Sequence, residues 1–198
     1  MIKAALFLLG TLALGVVLQV AGSIGVTTVM PDTDGSPRVL AAVSAERDGL
    51  EGLGARLPIA AETRYEERRV AAATYLALSP LLNEPWSRTK GAVRRAVWLS
   101  AAAGIVLAAL RLTTLGIALP TLVACVFAGS LIGTVIVRVR GGWGGPSPSL
   151  WRVWLPASGL TILFLAAPVP VDAASGVLLI GAASSIAAMV TVIRRAAL

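Results

Sequence analysis

The chain has 198 residues, 57% of them hydrophobic and 14% charged, with a mean hydropathy of +0.84; a soluble domain carries about a quarter charged residues. It contains no histidine and a single cysteine, Cys125, which excludes histidine acid–base catalysis, histidine metal ligands and an intrachain disulfide. The formal net charge is +7, but the cations cluster beside apolar blocks, as topology signals do, so the excess argues for a membrane and against direct nucleic-acid binding.

After Lys3 the first apolar block runs without a charge from Ala4 to Met30. A bilayer core about 30 Å thick takes about 20 apolar residues as a helix, so residues 1–30 are expected to hold transmembrane helix one. The block exceeds the apolar stretch of about 7–15 residues in a signal peptide, and the helix is read as retained. Residues 31–92 form a polar region, opened by the turn chemistry of PDTDGSP at 31–37. DGLEGLGAR, residues 48–56, lacks the GxxxxGK[ST] pattern and reads as linker. Thr63-Arg64-Tyr65-Glu66 fits a capping box. The spacing predicts an amphipathic helix near 64–79, ended by Pro80, lying on the membrane surface or against the bundle.

Between Ala96 and Val137 the only charge is Arg111. As one helix this block would run about 63 Å, twice the bilayer thickness, so residues 93–137 are expected to fold as a hairpin turning at 111–116. Helix two would span Val93 to Leu110, and helix three Leu115 to Val137 with Pro120 in its first turn. Gly129 and Gly133 make a small-xxx-small step suited to close helix packing. RVRGGWGGPSPSLWR, residues 138–152, follows as a basic Gly/Pro connector. A phosphate cradle needs a helix N-terminus within a nucleotide fold, and both neighbours here are membrane blocks. Trp143, Trp151 and Trp154 suit the headgroup zone as interfacial anchors.

The last block breaks at Pro168-Val169-Pro170-Val171-Asp172, so 153–198 is read as a second hairpin. Helix four spans Val153 to Ala167 and helix five Ala173 to Ile193, with Gly181 on a small packing face. The basic groups Arg88, Lys90, Arg94 and Arg95, then Arg138, Arg140 and Arg152, then Arg194 and Arg195 go to the cytoplasmic side. There they would touch anionic lipid or a partner. This arrangement puts residues 31–95 and the C-terminal cluster inside and the N-terminus outside, although Lys3 argues for the opposite at that end.

The expected fold is therefore all-α: a multi-pass transmembrane protein of about five helices, one N-terminal helix plus two hairpins. No residues converge as a catalytic, cofactor or metal set, and the expected role is non-enzymatic. Arg111 is the best functional candidate by position, because charge at membrane depth is expensive. Two readings stay open for it. Either it snorkels from a turn at the outer interface, or it pairs with Asp172 across the two outer turns.

AALRLTTLGIALP at 108–120, the Gly129/Gly133 helix, VRVRGGWGGPSPS, FLAAPVPVDAASGVLLIGAA and the closing Arg194-Arg195 occur in that order. Over about residues 95–198 this resembles a family of inner-membrane proteins of unknown function encoded in integrative conjugative elements and conjugative plasmids. That family's loop tends to carry histidine and acidic residues, which this chain lacks there. The resemblance implies a structural or accessory subunit of a conjugative, type IV secretion-like apparatus in the bacterial inner membrane. Its partners would be the lipid bilayer and other subunits, such as a coupling ATPase or secretion channel, with homo-oligomerisation left open. The competing expectation is an accessory subunit of a transporter or channel that uses Arg111 and Asp172.

Overall fold

The computed structural model describes residues 2–29, 38–51, 61–83, 92–140, 150–167 and 169–196. Among these the chain is all-helical, without a strand. The helices are α1 (Ile2–Val29), α2 (Arg38–Glu51), α3 (Ala61–Leu78), the short α4 (Pro80–Asn83), α5 (Ala92–Val139), α6 (Leu150–Ala166) and α7 (Ala173–Ala196). Three of them are long and apolar enough to cross a membrane, over Leu6–Val29, Arg94–Val139 and Ala173–Arg194.

The expected hairpin over 93–137 is overturned: α5 is one continuous helix of 48 residues, about 72 Å long. Nothing between 111 and 116 breaks it. The Thr113 and Thr114 hydroxyls donate back to the carbonyls of Ala109 and Leu110 at 2.9 and 3.0 Å, so the polar groups expected to mark a turn are satisfied on the helix itself. Pro120 lies in the helix interior, where it withholds the amide that the Gly116 carbonyl would otherwise accept from. The basic residues Arg95 and Arg138, expected on one side of the membrane, consequently stand at opposite ends of α5, about 65 Å apart along it.

The polar region contains a helix that no sequence signal above assigned, α2, whose last turn takes in the start of the stretch 48–56 read as linker. α2 is rich in strong helix formers, Ala, Leu, Glu and Arg, and Ser36-Pro37 just before it is the available start signal. The amphipathic helix expected near 64–79 is α3, and Ser79 forms a turn before α4 begins at Pro80.

Close contacts order the helices along α5. α1 runs antiparallel to its first half: Thr27 meets Ser100 at an Oγ–Oγ distance of 2.5 Å, and Val20 and Ser23 pack on Gly104. α7 runs parallel to the second half, with Cys125 on Gly181, Gly129 on the Ser185 backbone and Gly133 on Met189. α6 and α7 form an antiparallel pair with Phe164 over Gly176, while Leu165 packs on Gly15 of α1. On the flank of α5, Ala42 and Val43 of α2 join Ala103, Val106, Leu107 and Leu110 in the buried core. Tyr75 and Leu78 of α3 cover its edge. α1, α2, the end of α6 and the α6–α7 connection meet near the middle of α5, at Arg111.

Candidate functional site: a buried arginine

Arg111 is fully buried. Its guanidinium has five N–H donors, and each is directed to an acceptor. Nε donates to Glu46 Oε1 and Oε2 at 2.9 and 3.0 Å. Nη1 donates to Gln19 Oε1 at 2.9 Å and to the carbonyls of Leu165 and Ala167 at 3.2 and 2.6 Å. Nη2 donates to Glu46 Oε1 and to the Val169 carbonyl, the latter at 2.8 Å. The Phe164 ring centroid lies 5.7 Å from the guanidinium carbon, within cation–π range.

Each acceptor is available for a local reason. The last carbonyls of a helix have no intrahelical partner, and α6 ends just ahead of Pro168 and Pro170, which have no amide N–H to offer. Arg111 supplies the missing donors and puts positive charge at the negative end of the α6 dipole. Gln19 is fully buried in α1 and is held by Ser23: its Nε2 donates to Ser23 Oγ at 3.2 Å, and that hydroxyl donates to the Gln19 carbonyl at 2.8 Å. Glu46 is buried on α2 and also accepts from the Val171 amide at 3.1 Å. Burial pushes the Glu46 carboxyl above its ordinary range, against the downward pull of the Arg111 hydrogen bonds and charge and the Val171 amide. One side chain thus ties α1, α2, α5, α6 and the α6–α7 connection together.

Neither sequence expectation for Arg111 holds. It is not in a turn and does not snorkel, and its ion pair is with Glu46 instead of Asp172. Asp172 is exposed and caps α7. Its Oδ2 accepts from the Ser175 amide at 3.1 Å and the Ser175 hydroxyl at 2.6 Å, the N-cap pattern for an Asp preceding a helix. Asp at the last position before an apolar helix was a readable capping signal. Glu46, Gln19 and the three carbonyls carried no comparable signal, because they lie 54 to 92 residues from Arg111 in sequence.

Gly129, Gly133 and Gly181 all lie at the α5–α7 contact. A Cβ on Gly129 would overlap the Ser185 backbone, and one on Gly133 would come within 2.9 Å of the Met189 carbonyl oxygen. Arg94 and Arg95 are exposed at the start of α5, and Arg138, Arg140 and Arg194 at the far end of the bundle. Arg88, Lys90 and Trp143 lie outside the described residues, as do the side chains of Arg152, Trp151 and Trp154. Among the described residues no three His, Cys, Asp or Glu side chains come together as a metal set. Comparison with protein-family models, curated proteins and solved structures gives no match to this chain.

Chemically, the arrangement is a closed knot. Every guanidinium N–H points at a protein acceptor, so no donor is left to take up an anion, and both Arg111 and Glu46 are shut away from solvent. A group in that condition holds elements together; it does not offer itself to a passing substrate.

Proposed function

We propose that this chain is a non-enzymatic, multi-pass protein of the bacterial inner membrane that serves as a structural or accessory subunit of a larger membrane assembly. The observation that carries this reading is the saturated Arg111 knot. The residue best placed to do chemistry at membrane depth is spent on joining helices. The same saturation weighs against the transporter reading, which needs Arg111 accessible along an ion path. Asp172, its expected partner there, is engaged at the α7 cap.

The resemblance over residues 95–198 implies that this assembly serves conjugative DNA transfer, with a coupling ATPase or secretion-channel subunit as the contact. Exposed Arg138, Arg140 and Arg194 supply cations for such a partner or for anionic headgroups. The test is tagged purification from the membranes of cells carrying the complete conjugative element. Co-purification of a coupling ATPase or channel subunit at near-stoichiometric amount is expected. A solitary species under mild detergent, together with unchanged DNA transfer after deletion, would remove the reading.

A further inference from the structure

The two ends of the bundle differ sharply in charge. From Gln19, level with Arg111, α1 continues back to Ile2 for about 26 Å, toward the Val139 end of α5. α7 passes Gly133 at Met189 and reaches Arg194 beside that same end. α6, antiparallel to α7, begins on the same side of the Arg111 level, at Leu150. Arg138, Arg140 and Arg194 are therefore exposed together at one end of the bundle. Lys3 and Arg152 occupy helix positions on the same side of the Arg111 level but short of that end, and no Asp or Glu lies in the segments on that side. Nine of the ten acidic residues fall between Asp32 and Glu84, where with the ten Lys and Arg of 38–95 they leave a net charge of only about +1; helix α2 of this region packs at the Arg111 level.

Between these levels lies an apolar belt. Leu119, Val123, Phe127, Leu131 and Val135 recur every fourth residue on α5, all exposed, beside exposed Leu163, Leu179 and Ile186. From Arg111 to Val139 the helix rises about 42 Å, matching the 40–45 Å or so of a bilayer with its headgroups. The first half of α5 is instead packed against α1, α2 and α3 over much of its circumference, with Trp98 and Ile105 left exposed. An apolar helix twice the bilayer thickness can be continuous where one half meets lipid and the other packs largely against protein.

We propose that the basic end is a docking surface for the anionic headgroups of the cytoplasmic leaflet, so that the start of α1 and the ends of α5 and α7 face the cytoplasm. The layer of α2 and α3 then stands on the opposite, outer side, with the Arg111 knot near the outer boundary of the apolar belt. This inverts the placement of residues 31–95 expected from sequence and agrees with Lys3, which had argued for a cytoplasmic start. It rests on the membrane-spanning reading and not on any particular partner. Arg94 and Arg95 lie about 16 residues ahead of Arg111, at the limit within which flanking cations count toward orientation, and they are outnumbered by Arg138, Arg140, Arg194 and Arg195 at the other end.

The test is single-cysteine labelling of the full chain in a Cys125→Ser background with a membrane-impermeant maleimide. In intact spheroplasts, Asp48→Cys is expected to label, while Ser147→Cys and Ala197→Cys label only after permeabilisation. The reverse pattern overturns the orientation. Release of the chain by alkaline carbonate would instead overturn the spanning reading itself, so the two failures are distinguishable. Adding Arg138→Gln, Arg140→Gln and Arg194→Gln together is expected to turn a measurable fraction of Ser147→Cys outward. An unchanged pattern in that variant, matched by unchanged binding to vesicles containing phosphatidylglycerol, would overturn the headgroup-docking role.

Discussion

Replacing Glu46 by Leu tests the knot most directly. The variant withdraws both acceptors of Nε and one acceptor of Nη2, while Arg111 keeps Gln19 and the carbonyls of Leu165, Ala167 and Val169. The guanidinium therefore stays buried with its dipolar partners but without a counter-ion. Removing one partner of a buried pair costs about 3–5 kcal/mol, a large share of the roughly 5–15 kcal/mol that holds a typical fold. Arg111→Met has the same expected cost from the other side, since it strands the Glu46 carboxylate and three carbonyls. The double variant Glu46→Leu/Arg111→Met leaves no buried charge, so it should be less destabilised than the sum of the singles by about 3 kcal/mol or more. Thermal unfolding in detergent, read through the reactivity of Cys125 beneath Gly181, supplies the numbers for the cycle. Single-variant losses that simply add would refute the argument.

Further predictions follow from the same contacts. Arg111→Lys keeps the charge but loses the planar fork, so it should lower stability by about 1–3 kcal/mol in the same thermal assay. Asp172→Ala should cost about 1 kcal/mol as a lost N-cap and be additive with Arg111→Met, which a direct Arg111–Asp172 pair would not be. Gly129→Ala should push α5 and α7 apart, because its Cβ overlaps the Ser185 backbone, whereas Gly116→Ala meets nothing within 4 Å. The first should lower the unfolding temperature; the second should leave it unchanged or raise it through helix propensity of about 0.5–1 kcal/mol. A disulfide between cysteines placed at 27 and 100, where the two hydroxyls meet, should form on oxidation and be lost if α1 does not run antiparallel to α5.

Local sequence was sufficient wherever the deciding interaction is local. The uncharged run after Lys3 is α1, and the break at Pro168-Val169-Pro170 separates α6 from α7, because proline removes amides wherever it stands. The small residues Gly129 and Gly133 depend on a spacing of four, within reach of pattern reading, whereas the helix expected to start at the Thr63 capping box begins two residues earlier, at Ala61. α2 was missed because most of its apolar residues run together as Val39-Leu40-Ala41-Ala42-Val43, which gives no 3.6-residue stripe.

The hairpin expected at 111–116 shows what local sequence could not decide. A lone arginine in an apolar run has the same local appearance whether it sits in a turn at the interface or inside a continuous helix with its charge matched elsewhere. Here the match comes from Glu46, 65 residues away, and Gln19, 92 residues away. Length and composition by themselves determined that the chain is helical, apolar and rich in cations at the edges of its blocks. Only the tertiary structure decided that α5 runs unbroken and that Arg95 and Arg138 stand at opposite ends. The physical reason is that the cost of burying a charge depends on the acceptors folding brings around it, and these came from four other parts of the chain.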